Sequence, residues 1–106
     1  MKRTQKSSGG TSFHGTVIQA TVNQLHEILG KPDCVSNDGK DKTNYDWVAE
    51  TVYEDVFTVY DWKEYRPISE DEVISWHIGG KSLIVTEVAR QEMLNALSDL
   101  TKTVKF

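Results

Sequence analysis

The stretch VFTVYDWKEYRPISEDEVISWHIGGKS, residues 56–82, is the part of the chain around which the rest is organised. It contains two of the three tryptophans, Trp62 and Trp76, together with His77 and a Gly-Gly pair. Its first residues, 56–63, and the run just before them, 44–51, are rich in β-branched and aromatic side chains. Two such runs joined by a short connection predict an antiparallel hairpin.

The face that each hairpin residue occupies follows from the length of that connection. If residues 52–55 form an even-numbered loop, odd positions of the first run share a face with even positions of the second. The two Tyr-Asp-Trp tripeptides, 45–47 and 60–62, then place four aromatic side chains together. They are expected either to pack as core beneath the helices or to stack a planar ligand or anchor a partner at an open end.

The opposite face of this hairpin would carry an apolar row. If the helices cover only one face of the sheet, such a row remains exposed and predicts an interface. A symmetric homodimer is the simplest form of that interface. The predicted partner-interface residues are Val48, Val52, Phe57 and Val59.

The flanking segments supply the other elements. Residues 13–20 predict a first strand, and Thr21 with Gln24 three positions later predicts a capped helix that Gly30 ends. Ser69 and Glu72 predict one or two helical turns near residues 70–73. Apolar and polar residues alternate over 74–78, which predicts a brief strand that breaks at the Gly-Gly pair. An apolar stripe that continues to about residue 100 predicts the last helix.

These elements predict a small single α+β domain over residues 13–106. Its expected architecture is an antiparallel sheet of three to four strands with two main helices packed on one face. Residues 1–12 are interpreted as a flexible N-terminal arm, since they are basic at first and then rich in serine and glycine.

Charge and composition exclude several classes of function. The formal net charge is −4, and without Lys2, Arg3 and Lys6 nine basic and sixteen acidic residues remain, a charge of −7. Such a body is a poor binder of nucleic acid, which demands neutralisation of phosphates. No apolar run approaches the roughly 20 residues of a membrane span, and residues 1–12 are not expected to be a secretory signal, since no apolar stretch follows the basic residues. One cysteine, Cys34, allows no internal disulfide and indicates an intracellular protein.

Phosphate chemistry is the first candidate activity. Gly80-Lys81-Ser82 resembles the end of a phosphate-binding P-loop, but Ser75 stands where the first glycine of that motif is required. A nucleoside triphosphatase is therefore not expected. Two glycines before a helix still form a setting for an anion, or simply a flexible turn.

Catalysis is not expected. The cysteine and the histidines are scattered without metal-ligand spacing, so no metal site, cofactor or catalytic residue is predicted. His77 is interpreted as a structural residue, a donor to phosphate, or an acid or base. A small hydrolase that uses His77 with Asp61 is the lowest-ranked alternative, because a nucleophile and a metal are both missing.

Two segments carry a resemblance. Tyr60-Asp61-Trp62-Lys63 and Ser75-Trp76-His77-Ile78-Gly79-Gly80-Lys81 resemble the Asn/Asp-Trp-Lys and Trp-His-Ile-Gly-Gly motifs of small, largely uncharacterised phage-encoded proteins. The likeness extends from about residue 24 onward. It implies a viral accessory or anti-defence factor that acts in the host cytoplasm, and it implies no particular mechanism.

The preferred function is a non-enzymatic anti-defence binding protein that sequesters a nucleotide-like signal or phosphorylated ligand. The alternative is a stoichiometric inhibitor, similar in strategy to an anti-CRISPR protein, whose acidic surface occupies a nucleic-acid-binding host defence protein. The predicted ligand-binding residues are Trp62, Lys63, Trp76, His77, Gly79, Gly80 and Lys81.

Overall fold

A computed structural model of the protein describes residues 1–40 and 42–103, with the backbone alone for 101–103. It shows a small α+β domain of two helices and one antiparallel sheet. Residues 104–106 of the expected domain lie outside the described residues. In chain order the elements are β1 (Lys2–Arg3), β2 (Ser12–Ala20), α1 (Val22–Leu29), β3 (Cys34–Val35), β4 (Tyr45–Glu50), β5 (Val56–Tyr60), β6 (Ile74–Gly80) and α2 (Leu83–Thr103).

The sheet has six strands, so the prediction of three to four strands is wrong. The strand order is β1-β4-β5-β6-β2, and β3 pairs with β4 as well. The four longer strands correspond to the four predicted runs. The two additional strands, β1 and β3, have two residues each, which is too short to produce a periodic pattern. Both pair with the same edge of β4, the strand β1 near the C-terminal end of β4 and the strand β3 near its N-terminal end.

The first residues of the predicted N-terminal arm contact the domain. Lys2 and Arg3 pair with Glu50 and Ala49 of β4. The α-amino group of Met1 lies 3.0 Å from a carboxylate oxygen of Glu92 on α2. Backbone pairing and ion pairs that only the fold creates therefore attach the first residues of this segment, and the flexibility of residues 1–12 stays a prediction.

Both helices lie on one face of the sheet. The predicted capping box of α1 is confirmed: Gln24 N donates to Thr21 Oγ1 at 3.0 Å, and Thr21 N donates to Gln24 Oε1 at 2.9 Å. The helix α2 packs across β2, β5 and β6 and touches α1. The helical turns expected at 70–73 are replaced by a simple turn, in which Glu72 N donates to Ser69 O.

The core beneath the helices is built on three aromatic rings. The rings of Trp47 and Trp76 meet edge to face at 5.5 Å, and Tyr45 lies 6.0 Å from Trp47. Each indole N–H donates to a backbone carbonyl, Trp47 to Gly30 and Trp76 to Ala20, at 2.8 Å. These bonds satisfy the polar atoms of two otherwise apolar side chains.

The register of the hairpin corrects the predicted faces. Asp46 pairs with Tyr60 and Trp47 with Val59, so residues of equal parity share a face. The cause is the loop, which has five residues, 51–55, and is closed by a bond from Thr51 N to Asp55 O. A shift of one residue reverses the side chains of a whole strand. The four aromatics of the two tripeptides are therefore divided between the two faces.

Gly79 and Gly80 continue β6, so the predicted break or turn at this pair is wrong. A Cβ atom on Gly79 would lie 2.5 Å from Thr58 Oγ1, and one on Gly80 would lie 3.0 Å from side-chain atoms of Val85 and Thr86. The two glycines therefore permit close packing on both faces of β6, against the side chain of Thr58 at Gly79 and against the start of α2 at Gly80.

Candidate functional site

The sheet face opposite the helices carries the candidate site, and we call it the open face. Strand pairing assigns side chains to it, because directly paired residues point to the same side. Asp46 pairs with Tyr60, Tyr60 with His77, and Phe13 with Gly79. No helix packs on this face among the residues that the structure describes, while the N-terminal segment borders it, since Lys6 pairs with Glu50 and Ser8 lies at its cavity.

Four rings form an aromatic patch on the open face. His77 is at its centre: Phe13 stacks on it with ring centroids 3.8 Å apart and an interplanar angle of 11°. Trp62 lies 6.1 Å from His77 on a nearly parallel plane, and Tyr60 meets His77 edge to face at 5.5 Å. Phe13 remains 42% exposed and Trp62 40% exposed. Burial of these rings is thus incomplete, and Trp62 has surface free for a ligand.

Two lysines lie beside the patch. The Nζ atoms of Lys42 and Lys63 are 5.8 and 5.5 Å from the centroid of Trp62, within cation–π range. A bond from Lys63 N to Lys42 O, 2.7 Å long, holds their two segments together. Lys63 has a φ of 54°, in the left-handed region that non-glycine residues seldom adopt. Neither ammonium group forms an ion pair within residues 1–40 and 42–103, so both are available to an anion.

A cavity of about 240 Å³ opens next to Trp62. Its one ionisable acid is Asp46, a half-buried residue of β4. The carboxylate of Asp46 accepts no hydrogen bond and makes no ion pair in the described part of the chain. The lining residues are Ser8, Thr43, Asp46, Val48, Thr58, Tyr60 and Trp62.

Burial shifts the titration of three side chains at this site. It raises the pKa of Asp46, and the negative charges of Asp33 and Asp61 add to that rise. Burial also lowers the pKa of His77 and raises that of Tyr60. In each case the loss of water disfavours the charged form, which leaves His77 a neutral, stackable ring near pH 7.

The predicted ligand-binding residues are only partly brought together. Trp62, His77 and Gly79 lie on the open face, and Lys63 lies beside it. Trp76 and Gly80 face the helices and are buried. Lys81 is exposed and lines a separate cavity of about 310 Å³ near the β4–β5 loop.

The predicted interface residues do not form one row. Phe57 and Val59 are fully buried beneath the helices, whereas Val48 lines the cavity of the open face. Val52 is exposed in the β4–β5 loop. The physical reason is again the five-residue loop, which reverses β5 relative to the expected register.

Eight residues of the site were not among the predicted ligand-binding residues. The tripeptide repeat combined with an odd loop could have identified two of them, Asp46 and Tyr60, because it sets an aspartate opposite a tyrosine. The same register pairs Val48 with Thr58, whereas the others come from segments outside the hairpin, so no local pattern connects them. The eight are Ser8, Phe13, Lys42, Thr43, Asp46, Val48, Thr58 and Tyr60.

A larger cavity of about 550 Å³ lies between the irregular part of β2 and the first turns of α2. Its main charged groups are Glu87 and Arg90, and Arg90 Nε donates to Val17 O at 2.9 Å. It has no exposed aromatic ring comparable with Trp62. Among the described residues no group of three histidine, cysteine or acidic side chains is arranged to hold a metal ion.

Comparison with known proteins gives no relative: no family model matches the chain, and neither the curated proteins nor the solved structures contain a match. Within the part of the chain that the structure describes, neither helix has the length and apolar character that a membrane crossing requires.

Proposed function

We propose that this protein is a small, non-enzymatic binding protein that sequesters a nucleotide-like ligand on its open face. The observation that carries the proposal is the exposed ring of Trp62 with two ammonium groups, those of Lys42 and Lys63, within 6 Å of its centroid. A planar ring can stack on the indole, and a phosphate attached to that ring can reach the lysines.

The charge of the chain favours a small ligand over a nucleic acid. A polyanion must pass over many carboxylates of a chain with a net charge of −4, and its affinity depends on neutralising many phosphates. A ligand with one or two phosphates needs only a local pair of cations. Lys42 and Lys63 supply that pair, and neither forms an ion pair with the acidic residues that the structure describes.

The open face also favours binding over chemistry. His77 is stacked on Phe13 and has a lowered pKa, so it serves better as part of a ring surface than as an exposed acid or base. The resemblance to phage-encoded proteins is consistent with an accessory or anti-defence role, in which the ligand is a signalling nucleotide of the host. Sequestration needs affinity and no turnover.

Calorimetric titration tests the proposal, with cyclic dinucleotides, ADP-ribose and nucleoside monophosphates as ligands. We expect saturable binding that quenches tryptophan fluorescence, because Trp47 and Trp76 are buried and Trp62 is the exposed indole. Trp62→Ala should weaken binding by about 1–3 kcal/mol, the usual contribution of one base–aromatic stack. Trp62→Phe should retain part of it.

Tyr53→Ala is the matched control, since Tyr53 is a highly exposed aromatic residue of the β4–β5 loop, outside the patch. It should bind as the unmodified protein does. No heat with any of these ligands at millimolar concentration would refute the proposal, and so would equal binding by Trp62→Ala. A defence protein that binds Trp62→Ala as tightly as the unmodified protein, and less tightly at high salt, would favour the alternative inhibitor through its acidic surface.

A further inference from the structure

The carboxylate of Asp46 is an unpaired acid in a site that otherwise attracts anions. It lies in the 240 Å³ cavity of the open face, half-buried, with no donor or cation on it within the described residues. The other aspartate of the tripeptide repeat, Asp61, accepts three hydrogen bonds in the core. A partly desolvated carboxylate without compensation is costly, and such groups concentrate at functional sites.

The surroundings of Asp46 restrict what it can bind. Tyr60 stands directly opposite it in the hairpin, and Trp62 lies two residues further on the same face. The cavity is smaller than the roughly 300–1,000 Å³ of sites that enclose a drug-sized ligand. It therefore suits one ring system, with the remainder of the ligand outside.

We infer that the cavity selects a guanine-type base. The base stacks on Trp62, its Watson–Crick edge donates to the Asp46 carboxylate, and its phosphate lies toward Lys42 and Lys63. This assignment rests on the proposed function and adds the chemical class of the ligand.

The donor and acceptor pattern of the bases leads to guanine. An ionised carboxylate accepts hydrogen bonds and donates none. Guanine presents two adjacent donors, the N1–H and the exocyclic N2 amino group, which match the two carboxylate oxygens. Adenine, cytosine and uracil each present one donor beside at least one acceptor, and that acceptor would face the carboxylate with its lone pair.

A cationic ligand is the other chemistry that an acid among aromatic rings could favour. The two lysines argue against it, because their ammonium groups already lie 5.8 and 5.5 Å from the Trp62 ring and would repel a third cation. The same two groups attract the phosphate of a nucleotide. A guanine nucleotide therefore offers hydrogen-bond donors to Asp46 and a negatively charged phosphate to Lys42 and Lys63.

The experiment compares guanosine, inosine and adenosine monophosphates by calorimetry at mildly alkaline pH. Inosine retains the N1–H and lacks the amino group, so it tests one hydrogen bond. We expect guanosine monophosphate to bind most tightly and inosine monophosphate about tenfold less tightly, as the loss of one charge-assisted bond implies. Adenosine monophosphate should bind more weakly than both.

Asp46→Asn provides the matched variant. The asparagine amide offers one acceptor and one donor. The variant should therefore lose the preference for guanosine monophosphate. It should bind xanthosine monophosphate better than the unmodified protein does, because the C2 carbonyl of xanthine accepts a hydrogen bond from the amide. Asp99→Asn, at an exposed position of α2, should leave the order of ligands unchanged. Circular dichroism verifies that both variants fold, and if Asp46→Asn does not fold, the ligand series on the unmodified protein decides alone.

The two proposals fail in different ways. Equal binding of all three monophosphates, or a preference for adenosine, overturns the guanine assignment and leaves nucleotide binding intact. An unchanged preference for guanosine in folded Asp46→Asn also overturns it. Binding of none of the three monophosphates overturns the guanine assignment, and the proposed function is overturned as well if cyclic dinucleotides and ADP-ribose also fail to bind.

Discussion

At the scale of single residues, the same tripeptide serves two opposite roles. In residues 45–47 the aromatic side chains are in the core and Asp46 is on the open face. In residues 60–62 the arrangement is reversed, so that Asp61 is fully buried while Tyr60 and Trp62 belong to the patch. Asp61 thus accepts hydrogen bonds within the core, whereas the Asp46 carboxylate has no hydrogen-bond partner among the described residues.

The buried aspartate is expected to be essential for stability. Asp61 Oδ1 accepts from Asn44 N at 2.7 Å and from Tyr45 N at 2.9 Å, and its Oδ2 accepts from Asn44 Nδ2 at 3.0 Å. Asp61→Ala leaves the backbone N–H groups of Asn44 and Tyr45 without a partner, while Asn44 Nδ2 keeps its bond to Arg66 O, and it should lower the free energy of unfolding by about 2–5 kcal/mol in urea denaturation. Asp61→Asn keeps one acceptor and should cost less.

Asp46→Asn is the natural comparison for this measurement, because it removes a charge that burial penalises and that no described residue compensates with a hydrogen bond or an ion pair. Its free energy of unfolding should be equal to or higher than that of the unmodified protein. A loss below about 0.5 kcal/mol for Asp61→Ala would contradict the role assigned to that carboxylate.

At the scale of elements, short strands complete the sheet at one edge of β4. The strand β1 occupies the end at Ala49 and Glu50, and β3 occupies the end at Tyr45 and Asp46. Arg3 strengthens β1, since its guanidinium donates to Leu29 O at 2.9 Å and lies 2.9 Å from a carboxylate oxygen of Asp33. The N-terminal strand is therefore tied to the end of α1 as well as to the sheet.

Removal of the Arg3 side chain should weaken the pairing of β1 with β4. Arg3→Ala loses a bond to a helix carbonyl and an ion pair, and we expect the free energy of unfolding to fall by about 1–2 kcal/mol. Hydrogen exchange should accelerate at the backbone amides of β1. Lys40→Ala removes a positive charge from an exposed loop and should change neither quantity. Equal exchange in Arg3→Ala and the unmodified protein would mean that β1 does not depend on this contact.

At the scale of the whole molecule, the helices and the sheet leave one covered face and one open face. The open face contains a histidine whose pKa burial lowers, so the folded state binds protons less readily than the unfolded state. The stability that neutral His77 contributes is complete above about pH 6.5, the ordinary value for histidine. This stability is lost as the pH falls through about 6.5 toward the lower pKa that His77 has in the folded protein.

Thermal unfolding measured between neutral and mildly acidic pH tests this dependence. His77→Gln should flatten the decline in melting temperature on the acidic side of pH 6.5, while His26→Gln, at an exposed position of α1, should not. If the melting temperature of His77→Gln declines with the same slope as that of the unmodified protein, the pH dependence arises from other titratable groups.

The local elements were largely predictable. Helix α1 follows from a capping residue and an apolar stripe within nine positions, and the four longer strands follow from runs of β-branched and aromatic residues. These signals depend on interactions between near neighbours in the chain. The strands β1 and β3 gave no such signal, because two-residue strands are stabilised by the partner strand and not by their own composition.

The sequence by itself determined the helices, the hairpin and the presence of aromatic and acidic residues around it. The tertiary structure decided which of those residues meet. An odd-numbered loop places Tyr60 and Asp46 on one face, and pairing with β6 and β2 brings His77 and Phe13 to them. The physical reason is that the face of a strand alternates with every residue, so the composition of the candidate site depends on register, which is set by contacts across the whole sheet.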